Sequence, residues 1–362
     1  MTDELLVYGS YGYTGALVAQ SALERGLTPV LSGRSAEKVE AQATDLGLDH
    51  RVFSLQHPEV VERQVAGFSA VLNCAGPVSE TAEPLYSACL NAGTDYLDIT
   101  GELDVLEAVA GRADEAEATD VTLLPAVGFD VVPTDCLAGY LANALPSATR
   151  LTLAIDGMGT LSSGTAKSIA EGLARPGAVR EDGRIRSVPS AWKTRRLDFG
   201  RGPKPAVTIP WGDVSSAYHT TGIPNIETYA TVPEYAATVM ANTRPLAPLL
   251  GSRPVRSALK AVVDRVVSGP TTEERARNSA RVWGEVEDDD GRRFAARMRT
   301  PDPYSLTART AVEAARRVVS NEVKAGFHTP ASAFGPEFAL AFDGVEREDV
   351  RGVSEVERSV EG

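Results

Sequence analysis

Seven residues near the start of the chain, Gly9-Ser10-Tyr11-Gly12-Tyr13-Thr14-Gly15, restrict the fold more than any other segment. An apolar run, Glu4 to Gly9, precedes them and reads as a short buried strand. From Thr14 to Arg25 the apolar residues Leu17, Val18 and Leu23 share one helical face, and Gly26 stops the helix. In such a strand–turn–helix unit each glycine has its own task. Gly9 permits the tight turn, Gly12 lets a pyrophosphate approach the backbone, and Gly15 lets the helix press on the sheet. The free amides and positive dipole end of the helix then face the anion. The spacing is GxxGxxG, a variant of the GxGxxG dinucleotide turn. Gly9, Ser10, Tyr11, Gly12, Tyr13, Thr14 and Gly15 are therefore expected to hold the phosphates of a nucleotide, with Tyr11 crowding or covering them.

The unit repeats. Strands are expected at Pro29–Ser32, Arg51–Leu55, Ser69–Cys74, Tyr96–Ile99 and Val121–Ala126, and helices at Ala36–Leu46, Pro84–Ala92 and Leu103–Ala118. Short apolar strands alternating with helices predict an α/β fold, a Rossmann doubly wound parallel sheet covered on both faces. Beyond it, residues 148–157, 204–211 and 226–232 have strand character. Residues 280–299 read as a hairpin turning at Asp288-Asp289-Asp290-Gly291. Helical patterns at 162–175 and 254–268 interrupt them, which predicts a second, mixed α+β domain. The expected division is 1–135 for the Rossmann domain, 136–303 for the α+β domain, 304–345 for a helical segment packing back on the first, and 346–362 for a frayed charged tail.

The second strand selects the nucleotide. A site for NAD carries an acid about 20 residues after the turn, to grip the ribose 2′-hydroxyl. Here that strand ends in Leu31-Ser32-Gly33-Arg34-Ser35, with Lys38 one helical turn on. Arg34 can clamp a 2′-phosphate and stack on adenine, and Ser35 can cap the next helix. NADP(H) is the expected cofactor. The fourth strand ends in Asn73-Cys74-Ala75-Gly76-Pro77, small residues that leave room for the nicotinamide ribose at the carboxyl edge of the sheet.

The same edge collects polar side chains. Alternation puts Tyr96, Asp98 and Thr100 on one side of the fifth strand, with Glu102 just beyond, and the next strand leads to Asp130 and Asp135. Tyr96, Thr100, Glu102 and Asp130 are the candidate proton donors or orienting groups. Loop bracing and helix capping explain such residues equally well. His219 is a further residue within conceivable reach of the cleft, and no His, Cys or Asp spacing suggests a metal.

Composition narrows the partners. A net charge of −13 repels phosphate backbones and excludes general nucleic-acid binding. Only six of the 36 basic residues are Lys; this Lys-poor, acid-rich balance fits a high-salt, halophilic cytoplasm. Three cysteines without CxxC pairing, no basic leader and no apolar run near ~18 residues all fit a cytoplasmic protein. The amphipathic stretch 253–267 is a candidate for peripheral contact with lipid or an acyl carrier, and more simply for packing on the second domain. Self-association as a homodimer stays open.

Taken together, these pieces resemble the saccharopine dehydrogenase-like oxidoreductases. GSYGYTG at 9–15, Gly33-Arg34-Ser35, NCAGP at 73–77, YLDITGE at 96–102 and GFDVVPTD at 128–135 occur in the family's order. Ser163-Gly164-Thr165, GPTTEERAR at 269–277, YSLTAR at 304–309 and FHTPASAFG at 327–335 follow. The branch most resembled includes the trans-acting enoyl reductases of long-chain lipid synthesis. The resemblance implies NAD(P)-linked reduction and a small-molecule or acyl, often lipid-related, substrate. It carries over the glycines, Arg34 and the Ala75–Pro77 turn as cofactor residues. The expected activity is hydride delivery to an activated C=C or C=O. The alternatives are an NADP-binding sensor or scaffold without turnover, and an amino-acid dehydrogenase of the saccharopine type.

Overall fold

The computed structural model describes residues 5–157, 176–234 and 269–350. Its first part is built from β1 (Leu5–Tyr8), α1 (Tyr13–Glu24), β2 (Val30–Gly33), α2 (Ala36–Leu46), β3 (His50–Val52) and α3 (Pro58–Val65). It continues with β4 (Ala70–Asn73), α4 (Val78–Ala92), β5 (Asp95–Asp98), α5 (Leu103–Ala110), α6 (Ala113–Ala118) and β6 (Thr122–Leu124). The second part holds α7 (Val132–Ala144), β7 (Arg150–Asp156), β8 (Gly177–Glu181), β9 (Arg184–Val188), β10 (Thr194–Asp198), β11 (Pro203–Thr208), α8 (Asp213–Thr221) and β12 (Asn225–Thr231). After it come α9 (Thr272–Arg277), β13 (Ser279–Glu287), β14 (Arg293–Pro301), α10 (Pro303–Val319), β15 (Gly326–Phe327), α11 (Pro330–Phe334), a 3-10 turn at Phe338–Ala341 and β16 (Glu346–Asp349).

The first sheet runs β15-β6-β5-β4-β1-β2-β3, with every neighbouring pair parallel. This is the Rossmann order, and its strand sequence reverses between β1 and β4, where such sheets hold ligands. The period of two in each strand sorts side chains to two cores. Leu5, Val7, Leu72 and Leu97 face α1 and α10, meeting Val18, Ala311, Val312 and Ala315. Leu6, Val71 and Tyr96 face α3 and α4, meeting Val61, Leu85 and Cys89. Helix α10 thus returns to the first sheet from far along the chain, as expected for the segment 304–345. It starts at Asp302, whose carboxylate accepts from Ser305 N at 3.0 Å, with Pro303 in the first turn.

The second sheet runs β10-β11-β12-β7-β13-β14-β16, with β8 and β9 attached through β12. It is mixed, since β12 and β7 are parallel and the other pairs are antiparallel. Leu137 and Leu141 of α7 pack beneath it on Leu153, Val282 and Met298. The expected hairpin is β13 and β14, closed by Asp288, which accepts from the amides of Asp290 and Arg292 at 3.1 and 2.9 Å.

Several boundaries differ from expectation. Helix α4 begins at Val78 rather than Pro84, because a buried face of Val78, Ala82, Leu85 and Cys89 carries it through the proline. The span 103–118 is two helices, parted at Gly111 and Arg112. The expected tail is not frayed at its start: Glu346–Asp349 pairs with β14, where Glu348 meets Arg297 and Glu346 meets Arg299. The hairpin of β8 and β9, strand β15 and helix α8 had no clear period in the sequence. The helical patterns at 162–175 and 254–268, including the amphipathic stretch 253–267, lie outside the described residues.

Candidate functional site

The glycine turn is a forced geometry. Gly9 has a φ of +80°, and a Cβ there would lie 2.6 Å from Ala75 N. A Cβ on Gly15 would lie 2.2 Å from the Gly9 carbonyl oxygen. Gly9 N and Ser10 N both donate to Ser32 O, at 2.8 and 3.1 Å, and Gly12 N donates to Gly9 O at 3.0 Å. Gly12 is the N-cap of α1 and provides no side-chain cap. The amides of Tyr13, Thr14 and Gly15 therefore have no acceptor a turn earlier, the arrangement that receives an anion. Ser10 is fully buried, and its hydroxyl lacks a hydrogen-bond partner among the described residues. These features fit a dinucleotide's phosphates at this terminus.

Beside the turn, the β2 end carries Arg34. It is exposed, and no carboxylate among the described residues forms an ion pair with it. The Tyr11 ring lies on this side of the turn, against Gly33, where a Cβ would come within 2.5 Å of the ring. It packs with Ala19, Leu31, Val39 and Ala43, so its contacts are with α1, β2 and α2. Lys38 Nζ is 5.7 Å from the ring centroid. Ser35 sits at the N-cap of α2 but makes no side-chain cap bond, contrary to the expected capping role.

Three of the expected cofactor side chains are committed elsewhere. Asn73 is fully buried; its amide donates to Thr81 Oγ1 and Tyr96 OH, and its carbonyl accepts from Ala75 N. Cys74 is in the core, and burial pushes its thiol far up. Tyr13 turns to the second part of the chain, donating to Pro270 O at 2.5 Å and accepting from Arg275 Nη1 at 2.8 Å. Asn73 braces the turn that follows β4, so only Ala75, Gly76 and Pro77 present backbone there. Gly76–Pro77 is a cis peptide.

At the β5 and β6 ends the four candidate proton donors divide into two pairs. Tyr96 is fully buried and donates to Asp98 at 2.9 Å, and Thr100 is 1% exposed and accepts from Glu102 N. Both sit within the wall, not on the cleft. Asp98 is the brace they share: one oxygen accepts from Thr100 N and Ala126 N, each at 2.9 Å. Burial raises its pKa to about 6 despite those bonds. The other pair stays on the edge. Glu102 accepts from Val78 N at 3.2 Å, at the start of α4 just after Pro77. Asp130 is half-buried; its carboxylate lies against Gly101 and has no hydrogen-bond partner among the described residues. Burial, reinforced by the charge of Glu102, raises it to about 7. A carboxyl poised near neutrality on this edge can hold and release a proton.

The second part of the chain reaches the same edge. Trp211 bridges to Glu102 across an isolated antiparallel pair, and Gly212 N donates to Gly101 O at 3.0 Å. Asp213 follows, its carboxyl pushed well up by burial and then by the nearby Asp135 and Asp130. Arg180 of β8 pairs with Glu107 of α5 at 2.7 Å, and Ser215 donates to the same carboxylate oxygen. His219 lies 3.9 Å from Glu107 and against Phe327, at this seam. Burial lowers its pKa. A separate hollow of about 440 Å³ between α7, α8 and α11 shares no residue with this edge. Trp211, Asp213 and Arg275 were not among the sequence candidates. Only GPTTEERAR, as a motif without an assigned role, pointed to Arg275.

A Rossmann sheet with an anion-ready turn at its switch point, and a second sheet joined to its carboxyl edge, defines a dinucleotide-binding protein of two parts. Residues 5–124 match the family described as "Saccharopine dehydrogenase NADP binding domain". Over 140 residues the chain is 32% identical to a trans-acting enoyl reductase of Mycobacterium tuberculosis, covering 36% of this chain and 34% of that protein. Over 158 residues it is 32% identical to a probable mitochondrial saccharopine dehydrogenase-like oxidoreductase of Arabidopsis thaliana, covering 39% and 34%. The matches thus span about a third of the length of these relatives. In fold, the chain is similar to apo saccharopine dehydrogenase (L-Glu forming) from Saccharomyces cerevisiae. The TM-score is 0.64 at 10% identity, covering 96% of this chain and 99% of that one. Among the described residues no helix is long and apolar enough to cross a membrane, and no group of His, Cys, Asp and Glu is gathered as for a metal ion.

Proposed function

We propose that this chain is an NADP(H)-dependent oxidoreductase, a reductase that delivers hydride to an activated C=C or C=O of a lipid-related substrate. The observation that carries the cofactor reading is Arg34, an exposed guanidinium without an ion-pair partner among the described residues, at the strand end where a site for NAD carries an acid. Gly9, Gly12 and Gly15 make the approach to the α1 amides, and Lys38 adds charge on the Arg34 side. NADP(H), when bound, supplies the hydride. The chain's own contribution is to orient the acceptor, exclude water and deliver a proton. Asp130 is the proposed donor, since its carboxyl is half-buried, unbonded and raised to about 7. Burial sets most of that value and the charge of Glu102 adds to it, while Glu102 also holds the start of α4. The lipid-related substrate rests on the likeness to trans-acting enoyl reductases, and the acceptor is small or acyl, not a nucleic acid.

The test is calorimetry with NADPH and NADH, followed by NADPH oxidation on panels of enoyl, ketone and imine acceptors. Tighter NADPH binding with turnover of an enoyl or ketone supports the reading. Turnover confined to imines assigns an amino-acid dehydrogenase, and NADPH binding with no turnover assigns a sensor. Tighter binding of NADH, or no binding, overturns the cofactor assignment.

A further inference from the structure

The segment 269–277 (GPTTEERAR) comes from the second part of the chain, yet its contacts are with the first residue of α1. Gly269 has a φ of +82°, and a Cβ on it would lie 2.7 Å from the Tyr13 ring. Tyr13 OH donates to Pro270 O, and its ring meets Tyr304 edge-on with centroids 5.0 Å apart. A capping box then fixes the short helix α9: Glu274 N donates to Thr271 Oγ1, and Thr271 N to Glu274 Oε2. The acids nearby are already engaged. Glu274 holds that cap, Glu273 lies 3.9 Å from Arg277, and Asp302 caps α10.

Arg275 is what remains. Its guanidinium donates to three neutral oxygens, Tyr13 OH at 2.8 Å, Pro270 O at 3.2 Å and Thr272 Oγ1 at 3.1 Å. No carboxylate among the described residues pairs with it. It is half-buried, one tyrosine side chain away from the free amides of α1. A half-buried guanidinium without a carboxylate partner among the described residues is poised for an anion, and its planar fork suits a phosphate. Ser10, buried in the same turn, adds a hydroxyl without a partner among the described residues.

We propose that Arg275 is a phosphate-binding residue for the dinucleotide, held beside the glycine turn by Tyr13 and able to pass from the tyrosine hydroxyl to the pyrophosphate. This rests on the NADP(H) reading above. It makes the 269–277 segment the link by which the second part of the chain responds to cofactor. Arg34 and Arg275 then divide the work, one on the 2′-phosphate and one on the pyrophosphate.

The experiment measures NADPH and adenosine 2′,5′-bisphosphate affinities by calorimetry for the whole chain and for Arg275→Gln, Arg275→Lys, Tyr13→Phe and Arg34→Gln. Melting curves without ligand serve as the control on folding. Arg275→Gln is expected to weaken NADPH roughly 10- to 100-fold. It should weaken the bisphosphate, which lacks the second phosphate of the pyrophosphate, by less. Arg275→Lys keeps most of the affinity, and Tyr13→Phe binds at least as tightly as the parent. Arg34→Gln weakens both ligands alike. If the parent binds NADPH and Arg275→Gln binds it equally well, the inference fails while the cofactor reading stands. A loss in Tyr13→Phe matching that in Arg275→Gln, with a lowered melting temperature in both, makes the pair a structural brace and also overturns it. A parent that melts normally but binds no NADPH overturns the cofactor reading itself.

Discussion

The indole nitrogen of Trp211 donates a 2.5 Å hydrogen bond to the main-chain carbonyl of Asp130. Trp211 belongs to the second part of the chain, and Asp130 carries the unbonded carboxyl at the edge of the first sheet. Together with the Trp211–Glu102 bridge, this bond fixes the peptide on which the proposed donor stands. Trp211→Phe keeps an aromatic ring, though a smaller one, and removes the donor. It is expected to cost about 1 kcal/mol of stability, read by denaturant unfolding, and to lower kcat more than it raises KM.

Asp130 makes the activity and the stability depend on pH in a definite direction. Its raised pKa means that the folded chain binds a proton more tightly than the unfolded chain does. Its contribution to stability is complete below the ordinary Asp range and is lost as pH rises through about 7. Asp98, raised to about 6, adds a loss of the same sign in a lower window. Asp130→Asn should therefore melt higher than the parent at pH 8 and show a flatter stability profile near neutrality. In turnover, the parent's kcat/KM falls above about pH 7. The Asn variant loses that limb and drops roughly 10²- to 10⁴-fold. A variant with the parent's pH profile would remove Asp130 from the donor role.

Arg34→Glu places an acid where a site for NAD has one. NADPH binding should weaken by roughly 10- to 100-fold, the worth of a lost charged hydrogen bond or more. Calorimetry with NADH should show little loss or a gain.

Gly15→Ala tests the turn itself. The added Cβ would sit 2.2 Å from the Gly9 carbonyl, so α1 must shift away from the sheet. Overpacking of this kind costs about 1–3 kcal/mol. The measurable outcome is a lowered melting temperature together with lost NADPH binding, while Gly26→Ala, strained by its φ of +77° but meeting no neighbour, also lowers the melting temperature yet leaves binding intact.

The charge balance of −13 predicts a melting temperature that climbs from low salt into molar KCl. A melting temperature indifferent to KCl would remove the halophilic reading.

Much of the first sheet was readable in advance because its signals are local. The glycine turn, the apolar runs of β1 and β4, the alternation in β5, and the absence of an acid at Arg34 depend on neighbours in sequence. A parallel sheet buried on both faces advertises itself as apolar runs. Helix α10 was expected within the helical segment 304–345 that packs back on the first sheet. Strand β15 has only two residues, Gly326 and Phe327, too few for any period, and it exists because β6 offers an open edge.

The division among Tyr96, Thr100, Glu102 and Asp130 was decided by tertiary structure alone. In sequence all four are polar residues near strand ends. In space, Asp98 draws Tyr96 and Thr100 inward by hydrogen bonds, and burial then seals them. Asp130 acquires its proton affinity first from burial beside Gly101 and Trp211, and then from the charge of Glu102, 28 positions earlier. Tyr13 and Arg275 likewise stand 262 positions apart and meet only once the chain has folded. Backbone conformation and strand period are written residue by residue. Desolvation and pairing across the fold depend on what packs nearby, which no short stretch of sequence contains.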